Sequence, residues 1–411
     1  MVAMTAILFP WGLMGELKIS VGTYGGVKVI PDFSIAQFLK GLGVVETISE
    51  ITLIAIPDAV FLESSDCFQL QEAMVAQCEK LQNRFAILDV YSGNESIASS
   101  ANPIKNFRTQ LNARALNYAA AYYPWLHTGL KSHTDVDFTN LNERSKVLLR
   151  QICEQFISKN FNASEAKAIK PYLDCIAKPM QSIPTISVQQ LLTSEEAHKK
   201  LNQIIPDYKQ IMLALLKQEN LMPPSAAMAG VYTVMDKTRG VWKAPANVGV
   251  VGVVAASVRI DSQQNQALNV DVSGKSINAI REFPNRGIRV WGARTLDTNL
   301  LETRYINTSR TLISIKQSVK CALKPFAFEP NDQNTWQRIN GMVENYLNTF
   351  WREGALAGLK VEQAYFVTIG LNRTMSQQDI NAGLLKLELG VSFTRPAEFS
   401  VIRIVQKMGA N

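Results

Sequence analysis

Ser273–Asp297 reads SGKSINAIREFPNRGIRVWGARTLD and decides how the rest of the chain is read. Ile288-Arg289-Val290-Trp291 alternates apolar and polar residues with the two-residue period of a strand. Gly287 and Gly292 bracket that run, and Arg281, Arg286, Arg289 and Arg294 space guanidinium groups along the segment. The pattern is too regular for a loop, and it brings together no acid, base or nucleophile of the kind catalysis needs. Structural ion pairs, within or between subunits, are the expected use of these arginines.

Upstream stands Arg239–Asn247, RGVWKAPAN, with Trp242, Pro245 and Asn247. Downstream come Phe328–Trp336, FEPNDQNTW, and Pro396–Phe399, PAEF. Together with Ile280–Leu296, where Arg281, Pro284, Gly287, Arg289, Trp291 and Arg294 carry the pattern, these segments resemble the tail sheath proteins of contractile phages and phage-tail-like injection systems. Four ordered segments over about 160 residues make the resemblance specific. It extends from roughly Ile51 to Gln406, apart from one long insertion.

At 411 residues the chain exceeds the size at which one core stops growing, so more than one lobe is expected. Hydrophobic residues make up 47% and charged residues 19%, an ordinary composition with ample core material. No apolar run reaches the roughly 18–20 residues of a membrane span. Val248–Ala256, VGVVGVVAA, is the best candidate; it is too short and reads as a buried strand. The first residues lack the basic flank of a secretory signal, and Pro10 and Trp11 interrupt their apolar run. Five cysteines without a C-x-x-C pair (Cys67, Cys78, Cys153, Cys175 and Cys321) predict reduced thiols. The net charge of +7 keeps such a chain soluble and favours an acidic partner surface.

The first third reads as α/β. Ile51–Ile56 is a short apolar strand ended by Pro57-Asp58. Ser64, Ser65 and Asp66 offer N-caps to a helix with Leu70, Met74, Cys78 and Leu81 on one face. Arg84–Val90 is the next strand, so the order implies a parallel pair with a helical crossover. The family carries an IPDA segment, a helix and RFAILD in the same order, matched here at Ile56–Ala59 and Arg84–Asp89. It also has a strand ending in YYPWL, matched at Ala119–Leu126. From His127 to Leu221 polar helices replace strands. Thr193 and Glu196 form a capping box, and Pro206 kinks or divides the helix that follows. The predicted organisation is a first core portion at residues 1–126, a helical insertion at 127–222, and a second core portion at 223–411. The insertion departs from the family, which has a short loop there.

After Pro223 the core resumes. Thr311–Leu323 is a helix with Leu312, Ile315, Val319 and Ala322 inward. Asn331 or Asp332 caps another helix, carrying Trp336, Ile339, Val343, Tyr346 and Phe350, and Gly354 stops it. Gln363–Ile369 is a strand. Leu385 to Phe393 alternates strictly, a strand with one wet face. Phe399–Val405 closes the chain as a strand with apolar residues on both faces. The fold class is α/β with mixed sheets flanked by helices.

The search for chemistry returns little. There is no phosphate-binding glycine loop, no zinc-binding histidine pair and no nucleophile elbow. His127, His133 and His198 read as surface histidines. Asp58 and Asp89 sit at strand ends, where turn and capping roles are expected. No catalytic residue, cofactor site or metal site is assigned. Acidic residues interrupt the arginine segment and the aromatic residues form no base-stacking array, so no nucleic acid is expected as a partner.

The resemblance implies instead a homo-oligomer of stacked rings or a helix around an inner tube, with baseplate and terminator components, assembled in the cytoplasm and then part of a particle. It implies no direct insertion into a membrane. It assigns subunit linkage to the terminal strand, Phe399, Val401, Ile402, Arg403, Ile404 and Val405. An unpaired edge strand is a template for a neighbouring chain. Lys316, Lys320 and Lys324 stand four apart on one stripe, and with Arg338 and Arg352 they are candidates for contact with the tube. Family members open with a PGVY-EE arm, whereas this chain begins MVAMTAILFPWGLMGELK. That departure implies a specialised sheath paralogue or a start further upstream. Two other classes stay open at this stage: an α/β small-molecule enzyme, and a sheath-like adaptor at baseplate or cap that does not polymerise.

Overall fold

A computed structural model describes residues 5–8, 17–21, 27–31, 34–177, 193–269, 271–393 and 398–408. The chain opens with β1 (Thr5–Leu8) and a hairpin of β2 (Leu17–Val21) and β3 (Val27–Pro31). Helix α1 (Ile35–Glu46) and β4 (Ile51–Ala55) follow, then α2 (Ser64–Leu81), β5 (Phe85–Asp89), α3 (Pro103–Gln110) and β6 (Ala119–Tyr123). The predicted strand–helix–strand unit is β4-α2-β5, and its strands are parallel. Helix α2 begins at Ser64, so the capping position falls on Glu63, which makes no side-chain cap bond, and Asp66 lies within the first turn.

Beyond β6 the chain leaves the sheet through β7 (Leu126–Thr128), passes through α4 (Glu143–Asn160), α5 (Ala163–Ala177), α6 (Ser194–Ile204) and α7 (Pro206–Glu219), and returns as β8 (Leu221–Met222). Leu149, Cys153, Ile157, Leu173, Leu201, Tyr208 and Leu215 form a core of their own among these helices. The capping box is present: Glu196 N donates to Thr193 Oγ1 and Thr193 N donates to Glu196 Oε2, both at 3.2 Å. Pro206 divides the helix and starts α7, where its missing N–H costs nothing. Both ends of the excursion are stitched at one stem. β7 pairs antiparallel with β8, Asn220 exchanges side-chain hydrogen bonds with the backbone of Lys131 at 3.0 and 2.9 Å, and the Lys131 ammonium pairs with Glu219. The hairpin β2–β3 lies against α4 and α7.

Helix α8 (Ser225–Arg239), β9 (Val253–Ala256), α9 (Ser262–Asn269), β10 (Ile277–Phe283) and β11 (Gly287–Trp291) return the chain to the first sheet. Its order is β1-β4-β5-β6-β10-β11, parallel up to β10 and antiparallel for the β10–β11 hairpin. Apolar residues alternate between its faces as the strand period requires. Ile54, Ala86, Leu88, Ala121 and Ala279 meet α1, α2, α3 and α9 on one side. Leu53, Phe85, Ile87, Tyr122 and Ile280 meet α8 on the other.

Val248–Ala256 is not a buried strand. Val253–Ala256 pairs at the edge of a small β8-β7-β9 sheet, Val248 and Gly249 make only an isolated bridge to β11, and Val251 and Val254 are 98% and 72% exposed. Gly249 and Gly252 break the run; Gly252 takes φ +78°, a backbone turn unsuited to a buried valine strand.

Helix α10 (Ile306–Leu323) joins two cores. Ile306 packs under the six-stranded sheet, whereas Ile315, Val319 and Leu323 pack in the last lobe. There α11 (Gln333–Arg352) contributes Ile339, Val343 and Leu347 against a sheet of β12 (Tyr365–Ile369), β13 (Leu384–Val391) and β14 (Ser400–Lys407), in that order and antiparallel throughout. Asp332 is the cap of α11, accepting from Thr335 N at 2.9 Å, while Asn331 accepts from the Trp336 indole at 2.8 Å. Gly354 follows the helix at φ +77°. All five cysteines are free thiols. No helix among the described residues is long and apolar enough to cross a membrane.

Candidate assembly interface

The RGVWKAPAN segment works as a clamp. At the end of α8 Gly240 adopts φ +91°, and the Trp242 ring lies so close that a Cβ on Gly240 would stand 2.5 Å from it. Trp242 meets Phe350 of α11 edge-on at 5.2 Å, and its carbonyl accepts from Asn307 of α10 at 3.1 Å. Pro245 is buried. Asn247 N donates to Val290 O at 2.8 Å and Val290 N to Val248 O at 3.0 Å, so the segment covers the outer edge of β11.

The arginines of the deciding stretch make no ion pair among the described residues, which corrects the expectation within the subunit. They bind carbonyl oxygens. Arg281 Nε donates to Ile260 O at 3.0 Å, Arg289 Nη1 to Asn247 O at 3.0 Å, and Arg294 Nη1 to Asn269 O at 2.8 Å. Arg286 Nη2 reaches the Asn247 side chain at 2.7 Å. A guanidinium carries several donors in a rigid fork, and loop carbonyls with no ladder partner are what such forks satisfy. Pro284 lies in the hairpin turn, Gly287 leaves that turn at φ +66°, and Trp291 packs on Phe283 at 4.7 Å. The family-motif residues are thus gathered at one sheet edge and its junction with α10 and α11.

The terminal strand β14 pairs with β13 of its own chain at all eight positions, Ser400 to Lys407. Ile402 and Ile404 point into the lobe core, while Val401 and Val405 are 48% and 57% exposed. Arg403 Nε donates to Glu388 at 2.7 Å on that outer face, and Phe399, just ahead of the strand, meets Phe366 edge-on at 5.1 Å. No strand among the described residues occupies the other edge of β14. Residues 394–397, which hold the first half of the PAEF segment, lie outside the described residues.

The lysine stripe is divided. The Lys316 ammonium donates to the Gln82 side chain at the end of α2, and burial together with Lys320 lowers its pKa. Lys320 is half-buried on α10, and Lys324 lies exposed in the turn beyond it. Arg338 pairs with Glu329 at 3.1 Å and covers the Phe326 ring, whereas Arg352 is exposed in the last turn of α11. The structure therefore leaves Lys324 and Arg352 freest of the five candidates.

Two of the three histidines are only partly exposed. His198 Nδ1 lies 2.9 Å from the Tyr208 hydroxyl, and His127 is half-buried in β7; only His133 is exposed. Asp89 does cap, accepting from Ser225 N at 2.7 Å across the start of α8. A cleft of about 610 Å³ lies between α3 and α9, lined by Ile104, Lys105, Arg108, Leu268 and Asp271. Arg108 there is held by three carbonyls and by Asp271 at 3.3 Å, so it anchors the cleft wall. Neither Asp58 nor Asp89 lines this cleft. No group of three or more histidine, cysteine or acidic residues is placed to hold a metal among the described residues.

Sequence reasoning missed two buried charged groups. Arg310 of α10 forms a two-point ion pair with Asp236 of α8 at 3.0 and 2.5 Å, and lies over Tyr232, whose hydroxyl is 2.7 Å from that of Tyr122. Arg84 is fully buried and donates to Val45 O and Ile48 O at the end of α1. An isolated arginine in a sequence carries no signal of burial; only its place at the head of the RFAILD segment marked Arg84.

Residues 302–407 match the family described as phage tail sheath C-terminal domain. The chain is similar to contractile tail sheath proteins. It is 26% identical over 253 residues to the tail sheath protein of Burkholderia phage BcepMu, a match covering 57% of this chain and 51% of that protein. The chain thus spans about half the length of the curated relative it matches. Among solved structures it resembles the helical sheath of the anti-feeding prophage in its contracted state, at 25% identity and TM-score 0.56, over 98% of this chain and 93% of that one. It also resembles the contracted sheath complex of the extracellular contractile injection system PVC, at 26% identity and TM-score 0.57, over 92% and 76% of the two chains. A chain of the anti-feeding prophage baseplate matches at 27% identity and TM-score 0.54.

Proposed function

We propose that this chain is a structural subunit of a contractile tail sheath, assembling with further copies around an inner tube. The observation that carries the reading is the likeness over 98% of the chain to a subunit of a helical sheath. Subunits of such an array touch through unlike surfaces, which propagate instead of closing. Work then comes from repacking of near-rigid subunits, with no chemistry and no cofactor. In this reading residues 1–126 and 223–411 form the sheath core and 127–222 a docked insertion. Phe399, Val401, Ile402, Arg403, Ile404 and Val405 supply the linking strand, through the open edge of β14. Assembly takes place in the cytoplasm, with baseplate and terminator components limiting its length.

Contact with the tube falls to the C-terminal part. Residues 223–411 hold 22 basic and 14 acidic side chains, against 8 and 11 in residues 1–126. An acidic tube surface would be attracted to that side, weakly and in a salt-sensitive way suited to release. Lys324 and Arg352 are the first residues to test, then Lys316, Lys320 and Arg338.

One observation favours a second reading, a sheath-like adaptor at the baseplate: β14 is already paired within its own chain. Negative-stain microscopy of the purified protein, alone and with a co-expressed tube protein, separates the two. Rings or hollow cylinders are expected for the sheath subunit. A folded monomer in both conditions would overturn it and leave the adaptor. Removing Phe399–Asn411 is a coarse control, because it also strips Ile402 and Ile404 from the lobe core; substitution of Val401 and Val405 spares that core.

A further inference from the structure

Phe328 lies bare on the last lobe. It ends the turn Lys324–Phe328 that leads from α10 towards α11 and is 92% exposed, against 41% for Tyr305, the next most exposed aromatic among the described residues. The turn is braced around it. The Arg338 guanidinium covers the Phe326 ring at 5.2 Å and pairs with Glu329 at 3.1 Å. Glu329 N donates to Phe326 O at 3.0 Å, and Asn331 Nδ2 donates to Leu384 O at 3.3 Å. Pro325 and Pro330 restrict the backbone on either side. A large apolar side chain on a turn held this firmly gives up little freedom when a partner buries it.

The cleft of about 610 Å³ between α3 and α9 belongs to the other lobe. Ile104 and Leu268, both buried, line it together with Ile97 and the fully exposed Val272. Its walls are pinned to each other: Arg108 Nε donates to Lys275 O at 3.0 Å, and Lys275 Nζ donates to Arg108 O at 2.6 Å. The cleft is therefore pre-formed, as binding pockets usually are. Charge selects what enters it. Arg108 is paired with Asp271, which leaves Lys105 on the lining with no acidic partner among the described residues. Asp332, four residues after Phe328, is exposed and has no basic partner there. Leu359 is also 92% exposed, but Lys360 follows it and would bring a like charge to Lys105. Charges beside an apolar contact fix its register and reject the wrong partner.

We propose that Phe328 of one copy of this chain seats in the α3–α9 cleft of a second copy, with Asp332 facing Lys105 across the joint. The two halves are unlike surfaces of one chain. Each copy gives one Phe328 and receives another, so the contact propagates instead of closing. The inference rests on the reading that copies of this chain assemble, and it adds a joint that β14 does not supply.

The test uses the full chain with a benzophenone-bearing phenylalanine in place of Phe328. Copies grown on heavy isotopes are mixed with light ones, so that links between copies are told from links within one. Illumination should join position 328 of one copy to residues 102–109 or 264–268 of another. Links confined to one chain, or to other segments, overturn the joint. Two substitutions check it without the crosslinker. Phe328→Ala removes the plug, and Ala267→Trp fills the cleft; both positions are exposed, so both variants should melt with the wild type. Each should weaken self-association at least about tenfold in sedimentation equilibrium, while Leu359→Ala leaves it unchanged. Mixed together, the two variants should form pairs and go no further, because each keeps the half that the other lacks. Association unchanged in both variants, or no pairs in the mixture, overturns the proposal. The sheath reading fails separately. Crosslinks into the cleft without rings or cylinders keep the joint and remove the sheath, whereas cylinders without those crosslinks keep the sheath and remove the joint.

Discussion

The two main sheets of this molecule solve the same problem in opposite ways. The six-stranded sheet is covered on both faces, by α1, α2, α3 and α9 on one side and by α8 and the start of α10 on the other. Its β11 edge is closed by residues 247–249. Among the described residues the three-stranded sheet packs α10 and α11 on one face, and its other face displays Val401 and Val405 beside Arg403 and Glu388. Parallel sheets need both faces covered because their crossovers supply the cover, whereas an antiparallel sheet tolerates one wet face. Apolar residues on that wet face, next to an open strand edge, are an invitation to another chain. The first sheet is a scaffold and the second is the proposed contact, and α10 runs between their cores as a shared beam.

The largest expected effect comes from cutting that beam at its anchored end. Arg310 and Asp236 are 3% and 8% exposed and bind each other at two points. Asp236→Ala removes the carboxylate that binds the buried guanidinium at two points, over the Tyr232 ring. A loss of about 3–5 kcal/mol is expected, read as a drop in the urea midpoint of the full chain. Replacing both residues with apolar ones of similar size should recover most of it, because a buried pair is costly chiefly when broken. Equal losses in single and double variants would mean that the pair contributes packing and not charge.

A second cut separates the two faces of the open sheet. Ile404→Ala removes a side chain that is 1% exposed and should cost about 2–5 kcal/mol. Val405→Ala, one residue on and 57% exposed, should stay within about 0.5 kcal/mol. Gly390 tests the same face from below. A Cβ there would stand 2.2 Å from the Phe366 ring, so Gly390→Ala should cost about 1–3 kcal/mol through overpacking. A neutral result would mean that Phe366 swings aside freely, and that the aromatic cover of this face is loose.

How much of this was legible beforehand depended on periodicity. The β4-α2-β5 unit, the capping box at Thr193 and Glu196, the alternation of Leu385 to Val391 and the stripe of α11 were all visible, because each repeats a burial rule several times over. Val248–Ala256 was misread for the opposite reason: an unbroken apolar run has no period, and Gly249 and Gly252 turned it into an exposed edge. The arginines were legible as important and not as to partner, since carbonyl acceptors leave no mark in a sequence. The lysine stripe met a limit of another kind. Spacing of four placed Lys316 and Lys320 on one helix face, but whether that face meets solvent or Gln82 is decided by a residue more than 230 positions away. Asp58 and Asp89 were placed at strand ends correctly, yet the burial of both belongs to the folded chain alone.

The smallest change in stability should bring the largest change in assembly. Val401→Lys with Val405→Lys places two charges on the outer face of β14, where exposure keeps the folding cost to about 0.5 kcal/mol per site. Charged side chains on an edge strand are also what deters pairing with a neighbouring sheet. The double variant should melt within a few degrees of the wild type, keep its urea midpoint and form no rings or cylinders. Arg403→Ala is the matched control on the same face: its pair with Glu388 is exposed and worth at most about 1 kcal/mol, so it should assemble. Cylinders from the lysine variant would move the contact away from this face, to the exposed Val251 and Val254 around β9 or to the clamp beside β11. Loss of assembly in the lysine variant, with Arg403→Ala intact, would place the apolar outer face of β14 in the joint between subunits.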